Sequence, residues 1–200
     1  MYPGRPPILS DKDMIKKIME GDRHAATLLI RSTEKLVANI VFRMINNYAD
    51  RKDLIQDIYL KIFRYLPKFR FQSKLSTWVA HISYTTCLDH LQKYRPELID
   101  IPDDDEWLLP EIAWQKINRE TLDASQLLSV KERSEILEKL SATLPPLYRT
   151  LITLFHKEEL SIDEIMNITG LPAGTVKNYL FRARKILKER LLDYYSKEYL

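Results

Sequence analysis

The 200-residue sequence predicts an all-α protein of two compact helical domains joined by an acidic linker, the C-terminal domain carrying a helix-turn-helix. Three observations predict it. Apolar residues recur at i, i+3 and i+4 with almost no two-residue alternation, and only 4 glycines interrupt the chain. Charge is segregated: Lys61 to Leu88 holds five basic residues and no acidic one, Glu97 to Glu106 six acidic residues and no Lys or Arg, and Pro172 to Leu200 seven basic against three acidic. Punctuation near the C-terminus has the spacing of two helices about a tight turn. The 45% hydrophobic content is ordinary for a chain that buries a core, and the net charge of +3 says less about partners than its distribution does.

Ser10 is placed to cap a first helix containing Ile15, Ile18 and Met19 that stops at Gly21, and Asp22 to cap a second through Leu28 and Leu29. A third helix is expected over Leu36, Val37, Ile40, Val41, Met44 and Ile45. A fourth runs from about Arg51 to Leu66, turning Leu54, Ile55, Ile58, Ile62 and Leu66 inward until Pro67 ends it. Lys68 to Ser76 forms a basic, aromatic loop, and a further helix from about Thr77 to Lys93 holds Trp78, Val79, Ile82 and Leu88. The expected domains are 10–94 and 130–195, with 95–129 as the acidic, proline-bearing linker. In the second domain, one helix carries Ile136, Leu137, Leu140 and Leu144, and after Pro145 and Pro146 another carries Leu147, Leu151 and Leu154.

The closing stretch, Leu160 to Arg190, is the most informative. Ser161 and Glu164 have capping-box spacing, and Leu160 and Ile165 occupy the positions of a hydrophobic staple. Gly170 can supply the left-handed residue that ends the helix, and Pro172 allows the next to begin without wasting an N–H. Val176, Leu180, Ala183, Leu187 and Leu191 then make one buried stripe. The remaining faces carry Thr175, Lys177, Asn178, Phe181, Arg182, Arg184, Lys185 and Lys188. A basic second helix after a tight turn is the sequence form of a helix-turn-helix that docks on DNA.

Between Lys61 and Trp78, Phe63, Tyr65, Phe69, Phe71 and Trp78 are interleaved with five cations. Such cations can follow a phosphate backbone while aromatic faces stack on bases outside the duplex. The same aromatics could instead be core, Phe63 and Trp78 first among them. Catalytic constellations are not found: His24, His81, His90 and His156 are scattered, and no glycine-rich phosphate loop or nucleophile elbow exists. Asp103, Asp104 and Asp105 lack the glycine and distal Glu of a calcium loop, so no metal or cofactor is expected. A single cysteine, Cys87, excludes an intramolecular disulfide and suits a reducing compartment. With no apolar run of signal-peptide or membrane-span length, the chain is expected to be soluble and cytoplasmic, without membrane insertion.

Two motifs together carry a family resemblance. DLIQDIYLKIFRYLPKF followed by KLSTWVAHISYTTCLDHLQK, and LSIDEIMNITGLPAGTVKNYLFRARKIL after it, resemble regions two and four of the sigma-70 family of bacterial RNA polymerase sigma factors, of the extracytoplasmic-function (ECF) type. The resemblance covers roughly Ser10 to Tyr94 and Val130 to Leu192. It implies a non-enzymatic specificity subunit that binds core RNA polymerase at its clamp and flap regions, directs it to −10 and −35 promoter elements and promotes melting. Core binding would fall on residues 53–66 through Asp53, Gln56, Asp57, Lys61 and Arg64. Arg70, Gln72, Ser73, Lys74 and Ser76 would read the −10 element and capture a flipped base of the non-template strand. The helix-turn-helix, 162–181, would read the −35 element, with Thr175, Lys177, Asn178, Phe181 and Arg182 near bases and Arg184 and Lys188 on phosphates. The acidic linker threads toward the polymerase cleft in this family, and an anti-sigma factor is a common partner. The sequence departs from the family at Phe71, where Gly is frequent, at Thr85, where Asn is common, and at Gln92, where Arg is usual. The alternative is a helix-turn-helix regulator that binds duplex DNA without polymerase; it accounts for Leu160 to Arg190 but not for the upstream motif.

Overall fold

The computed structural model describes residues 10–96 and 130–198, and every regular element among them is helical. Ser10 accepts from the Asp13 N–H and starts α1 (Asp11–Met19). Gly21, at φ +88°, turns the chain, and Asp22 accepts from the His24 and Ala25 N–H groups to start α2 (Arg23–Met44). Those two hydrogen bonds hold the Asp22 carboxyl below its usual range. The second and third expected helices are therefore one. The polar stretch between them continues the helix because its buried member, Thr33, donates back to the Leu29 carbonyl at 2.8 Å and turns no unsatisfied group inward.

Asn47 caps α3 (Tyr48–Tyr65), and Pro67 diverts the chain into a 3-10 turn, Leu66–Lys68. Arg51 fastens α3 to the end of α2, donating to the Ile45 carbonyl at 2.7 Å while its guanidinium lies 4.9 Å from the Phe42 ring centroid. After the loop comes α4 (Leu75–Tyr94). Leu29, Val37, Ile40 and Val41 of α2, Ile58 and Ile62 of α3, and Val79, Ala80 and Cys87 of α4 are fully buried together. Each large aliphatic side chain so buried stabilises the fold by about 1.5–3 kcal/mol. Met19, at the end of α1, is exposed, while Phe63 and Trp78 are half-buried and pack against the edge of this core.

The C-terminal half comprises α5 (Val130–Ala142), α6 (Pro146–Ile152), a wide π turn at Thr153–Lys157, α7 (Ile162–Thr169) and α8 (Ala173–Glu198). Leu144 is buried beyond the end of α5, whereas Leu137 is exposed on it. The two halves do not stand apart. α4 lies along α7 and α2 along α6, so Leu151, Leu154, Ile165, Ile168, Val176 and Leu180 belong to the same apolar cluster as the core of the first half. α4 is buried on more than one side: Val79 and Ile82 are joined in burial by Thr77, Ser83, Tyr84 and Thr86, with Thr86 toward Lys61 of α3 and His81 against the Ile168 carbonyl of α7. Arg149 of α6 is only 5% exposed, donating to the Ala142 carbonyl and to Asn46 Oδ1, both at 3.1 Å. Burial lowers its pKa, so a charge is held inside chiefly by hydrogen bonds.

Candidate nucleic-acid interface

The helix-turn-helix forms as its punctuation requires. Ser161 Oγ accepts from the Glu164 N–H at 3.2 Å, and Glu164 Oε2 accepts from the Ser161 N–H at 3.0 Å, closing the capping box. Gly170, at φ +74°, ends α7 with its N–H on the Met166 carbonyl. The Pro172 carbonyl then accepts from the Val176 N–H at 3.0 Å, opening α8. Val176, Leu180 and Ala183 are fully buried, so the expected stripe seats the first half of α8, while Leu187 and Leu191, expected to continue it, are half-buried.

Thr175, Lys177, Asn178, Phe181 and Arg182 sit half-buried along the first half of α8, and Lys188 is exposed two turns on. Asn178 turns its carboxamide oxygen inward, where it has no hydrogen-bond partner among the described residues. Arg184 corrects the sequence reading. It is 5% exposed, its Nε donates to His156 Nε2 at 3.1 Å, and its guanidinium lies 5.3 Å from the Phe155 ring centroid. One position past Ala183, it falls on the buried side of the helix, where it anchors α8 to the π turn and cannot reach a phosphate. Burial first, and the Arg184 charge second, hold His156 below its usual pKa, which keeps Nε2 free to accept.

The second surface is the loop before α4. Arg70, Gln72, Lys74 and Ser76 are exposed and Ser73 is half-buried, all within one turn of chain at the start of α4. No side chain caps α4 and its first turn holds no acid, so the unsatisfied N–H groups and Arg70 make an electropositive end suited to a phosphate, beside Lys74, which pairs with Glu164 of α7 at 2.8 Å. Phe69 stacks between Phe71, at 4.9 Å, and Trp78, at 5.2 Å, so three of the interleaved aromatics form one tilted stack beside the cations. Phe71 is half-exposed and stands at φ +55°, a left-handed conformation that favours glycine. Thr85 donates back to the His81 carbonyl at 2.8 Å, so its hydroxyl serves its own helix.

The third surface is the outer face of α3. Asp53, Gln56, Asp57 and Arg64 are exposed at spacings of three, four and seven, on one face. Lys61 is not among them: half-buried, it turns to α4, donating to Thr86 Oγ1 at 3.1 Å with Asp89 4.0 Å away. Leu60 takes the centre of that face instead, an aliphatic side chain 67% exposed amid polar neighbours. Its signal in the sequence was an apolar residue out of phase with Leu54, Ile58 and Ile62. Among the described residues no group of three or more His, Cys, Asp or Glu is placed to hold a metal ion, and no helix is long and apolar enough to cross a membrane. The acidic run 97–106 lies outside the described residues.

Known proteins match both halves. A family model described as sigma-70 region 2 matches residues 29–97, and one described as sigma-70, region 4 matches residues 134–187, together more than half the chain. The chain is 27% identical over 190 residues to the ECF RNA polymerase sigma factor SigW of Bacillus subtilis, covering 91% of this chain and 97% of the relative. It is 29% identical over 185 residues to the ECF RNA polymerase sigma-E factor of Haemophilus influenzae, covering 92% and 96%. Among solved structures, CnrH in complex with the cytosolic domain of CnrY matches with a TM-score of 0.58 at 18% identity, over 92% of this chain and 97% of that one. The sigma factor RpoE in complex with the anti-sigma factor NepR, from Bartonella quintana, also matches with a TM-score of 0.58, at 21% identity, over 82% and 95%. At these identities the structural likeness concerns the fold.

Proposed function

The chain belongs to the sigma-70 family of RNA polymerase sigma factors, and on that footing we propose a division of labour among its three surfaces. Residues 10–94 form the unit that binds core polymerase and opens the −10 element, 95–129 are the linker, and 130–195 form the unit that reads the −35 element. The outer face of α3, with Asp53, Gln56, Asp57, Leu60 and Arg64, docks on the polymerase clamp. Arg70, Gln72, Ser73, Lys74 and Ser76 hold the backbone of the melted strand while the Phe71, Phe69 and Trp78 stack meets an extruded base. Extrusion costs a few kcal/mol, which stacking and phosphate contacts can offset. Lys177, Phe181 and Arg182 face base edges in the major groove, with Thr175 at the helix start and Asn178 joining them once its inward-turned carboxamide rotates outward, and Lys188 meets a phosphate. Core polymerase, promoter DNA and an anti-sigma factor are the partners. Family members are not enzymes, and this chain performs no catalysis of its own; it works in the cytoplasm.

The observation that carries this reading is the coexistence, on one chain, of a capped helix-turn-helix and an uncapped, cationic helix start beside an aromatic stack. A duplex-only regulator needs the first and has no use for the second. Reconstitution with core polymerase tests it: the chain is expected to co-purify with core and to support initiation in vitro from a cognate promoter. Asp57→Ala is expected to weaken core binding at every promoter, and Arg182→Ala to weaken initiation only where a −35 element is present. A chain that binds duplex DNA yet never binds core would overturn the assignment.

A further inference from the structure

Among the described residues only Phe71 and Glu159 hold a left-handed backbone without being glycine. A glycine at position 71 would take φ +55° freely, so what the fold keeps there at a conformational cost is the ring. That ring lies outermost in a stack whose inner members are fixed. Phe69 and Trp78 pack against the apolar core, and Phe71 rests on Phe69 with its own face half open to solvent. The result is a preformed aromatic face.

The groups that could read the edge of a base laid on that face are few. Ser73 Oγ donates to the Lys74 carbonyl at 3.4 Å. Thr85, two turns beyond Trp78 on the same side of α4, donates to the His81 carbonyl at 2.8 Å. Gln72 carries the one amide between Lys68 and Ser76, and it is exposed. Pairing with a base edge must first freeze that flexible side chain, which cancels much of what a bidentate contact gains.

We propose that this chain takes its unpaired −10 base by stacking on Phe71 with little regard to which base it is, and that its promoter selectivity rests on α8. The inference deepens the sigma reading of this surface and rests on it. Stacking on an aromatic side chain is sequence-tolerant, because every base has a flat face to offer, and it contributes about 5- to 100-fold per base. Edge recognition selects because a wrong base leaves a fixed polar group unpaired. The side chains held half-buried on a rigid helix, as such recognition requires, are Lys177, Asn178 and Arg182 of α8.

The test is the rate of open-complex formation by core polymerase with the full chain, followed by permanganate reactivity of thymines elsewhere in the bubble. Promoters are altered at one non-template −10 position at a time, to each of the four bases, to an abasic site, and to difluorotoluene, a flat thymine isostere whose edge forms no strong hydrogen bonds. One position is expected at which the abasic site slows opening by about 5- to 100-fold while the four bases and the isostere stay within about tenfold of one another. There, Phe71→Ala should slow opening on the natural template as much as the abasic site does and add little to it, since both remove the same stack. Gln72→Ala should leave the order of the bases unchanged, and exchange of the −35 element should cost more than any single change of −10 base. A spread above about tenfold among the four bases at that position, an isostere as slow as the abasic site, a base order that collapses in Gln72→Ala, or additivity of Phe71→Ala with the abasic site at every position overturns the inference. The two readings fail separately: a chain that opens promoters but selects this base sharply sinks the stacking inference alone, and a chain that never binds core sinks the sigma assignment and the inference with it.

Discussion

Phe71 is kept in a left-handed backbone conformation, at φ +55°, at a cost of roughly 1–2 kcal/mol, and the return is a ring stacked on Phe69 and half open to solvent. Phe71→Gly removes ring and strain together, so stability should change by less than about 1 kcal/mol. Phe71→Ala keeps the strain and should be less stable than the glycine variant by about 1 kcal/mol in urea unfolding. Both should slow promoter opening, followed by permanganate reactivity of unpaired thymines, by about 5- to 100-fold if the ring supplies a base stack worth about 1–3 kcal/mol. His156 gives the pH dependence. Burial lowers its folded pKa, so between about pH 6.5 and that lower value the unfolded chain binds more protons, and stability falls as pH falls through the window. Thermal melts from pH 7.5 to 5.5 should show this loss, and His156→Gln should flatten it; a slope unchanged by the substitution would contradict it. Arg184, the partner of His156, shows where sequence reading stops. Its charge and its place in an Arg-Ala-Arg motif suggested a phosphate, but one residue of helical phase puts it inside, and phase at the edge of a stripe depends on what packs there.

Helix caps were legible because their chemistry is local. Ser10, Asp22 and Ser161 each accept the expected backbone N–H, and Gly170 takes the expected left-handed turn. The fusion of two expected helices into α2 was not, since a polar stretch on an exposed face has the composition of a break and only the Thr33 bond to its own helix shows otherwise. On α3 the apolar period hid Leu60, which tertiary structure leaves uncovered at the centre of the polar face. If the outer face of α3 docks on core as proposed, Leu60 is desolvated there, so Leu60→Ala should weaken core binding by about 1–2 kcal/mol in a fluorescence titration, with little effect on folding because the side chain is exposed in the free chain. Lys61→Ala should instead act on stability, through Thr86. On α8, Lys188→Ala should reduce the salt slope of duplex binding by about 1 while leaving sequence preference intact, and Arg182→Ala should relax preference at its base pair.

The packing of the two halves against each other is the feature of the whole molecule least visible in the sequence. A charge-segregated chain with an acidic connector predicts two units, but not whether they touch. On α4 the contact is marked by His81, whose Nδ1 lies 2.9 Å from the Ile168 carbonyl, with Thr77 and Tyr84 on the same helical face, polar and aromatic residues that carry no aliphatic stripe, and tight helix packing can use such residues as well as large aliphatic ones. If the seam is a true extension of the core, the halves should lose protection together. Ile168, fully buried on α7 with its carbonyl held by His81, is the position to test. Ile168→Ala should cost about 2–5 kcal/mol through the cavity it leaves. Amide hydrogen exchange should then accelerate along α4 as well as α7, although α4 itself is unaltered, because the opening that exposes one removes cover from the other. Faster exchange confined to α7 and α8 would mean that the halves are energetically independent and that the shared apolar cluster contributes little to holding them together.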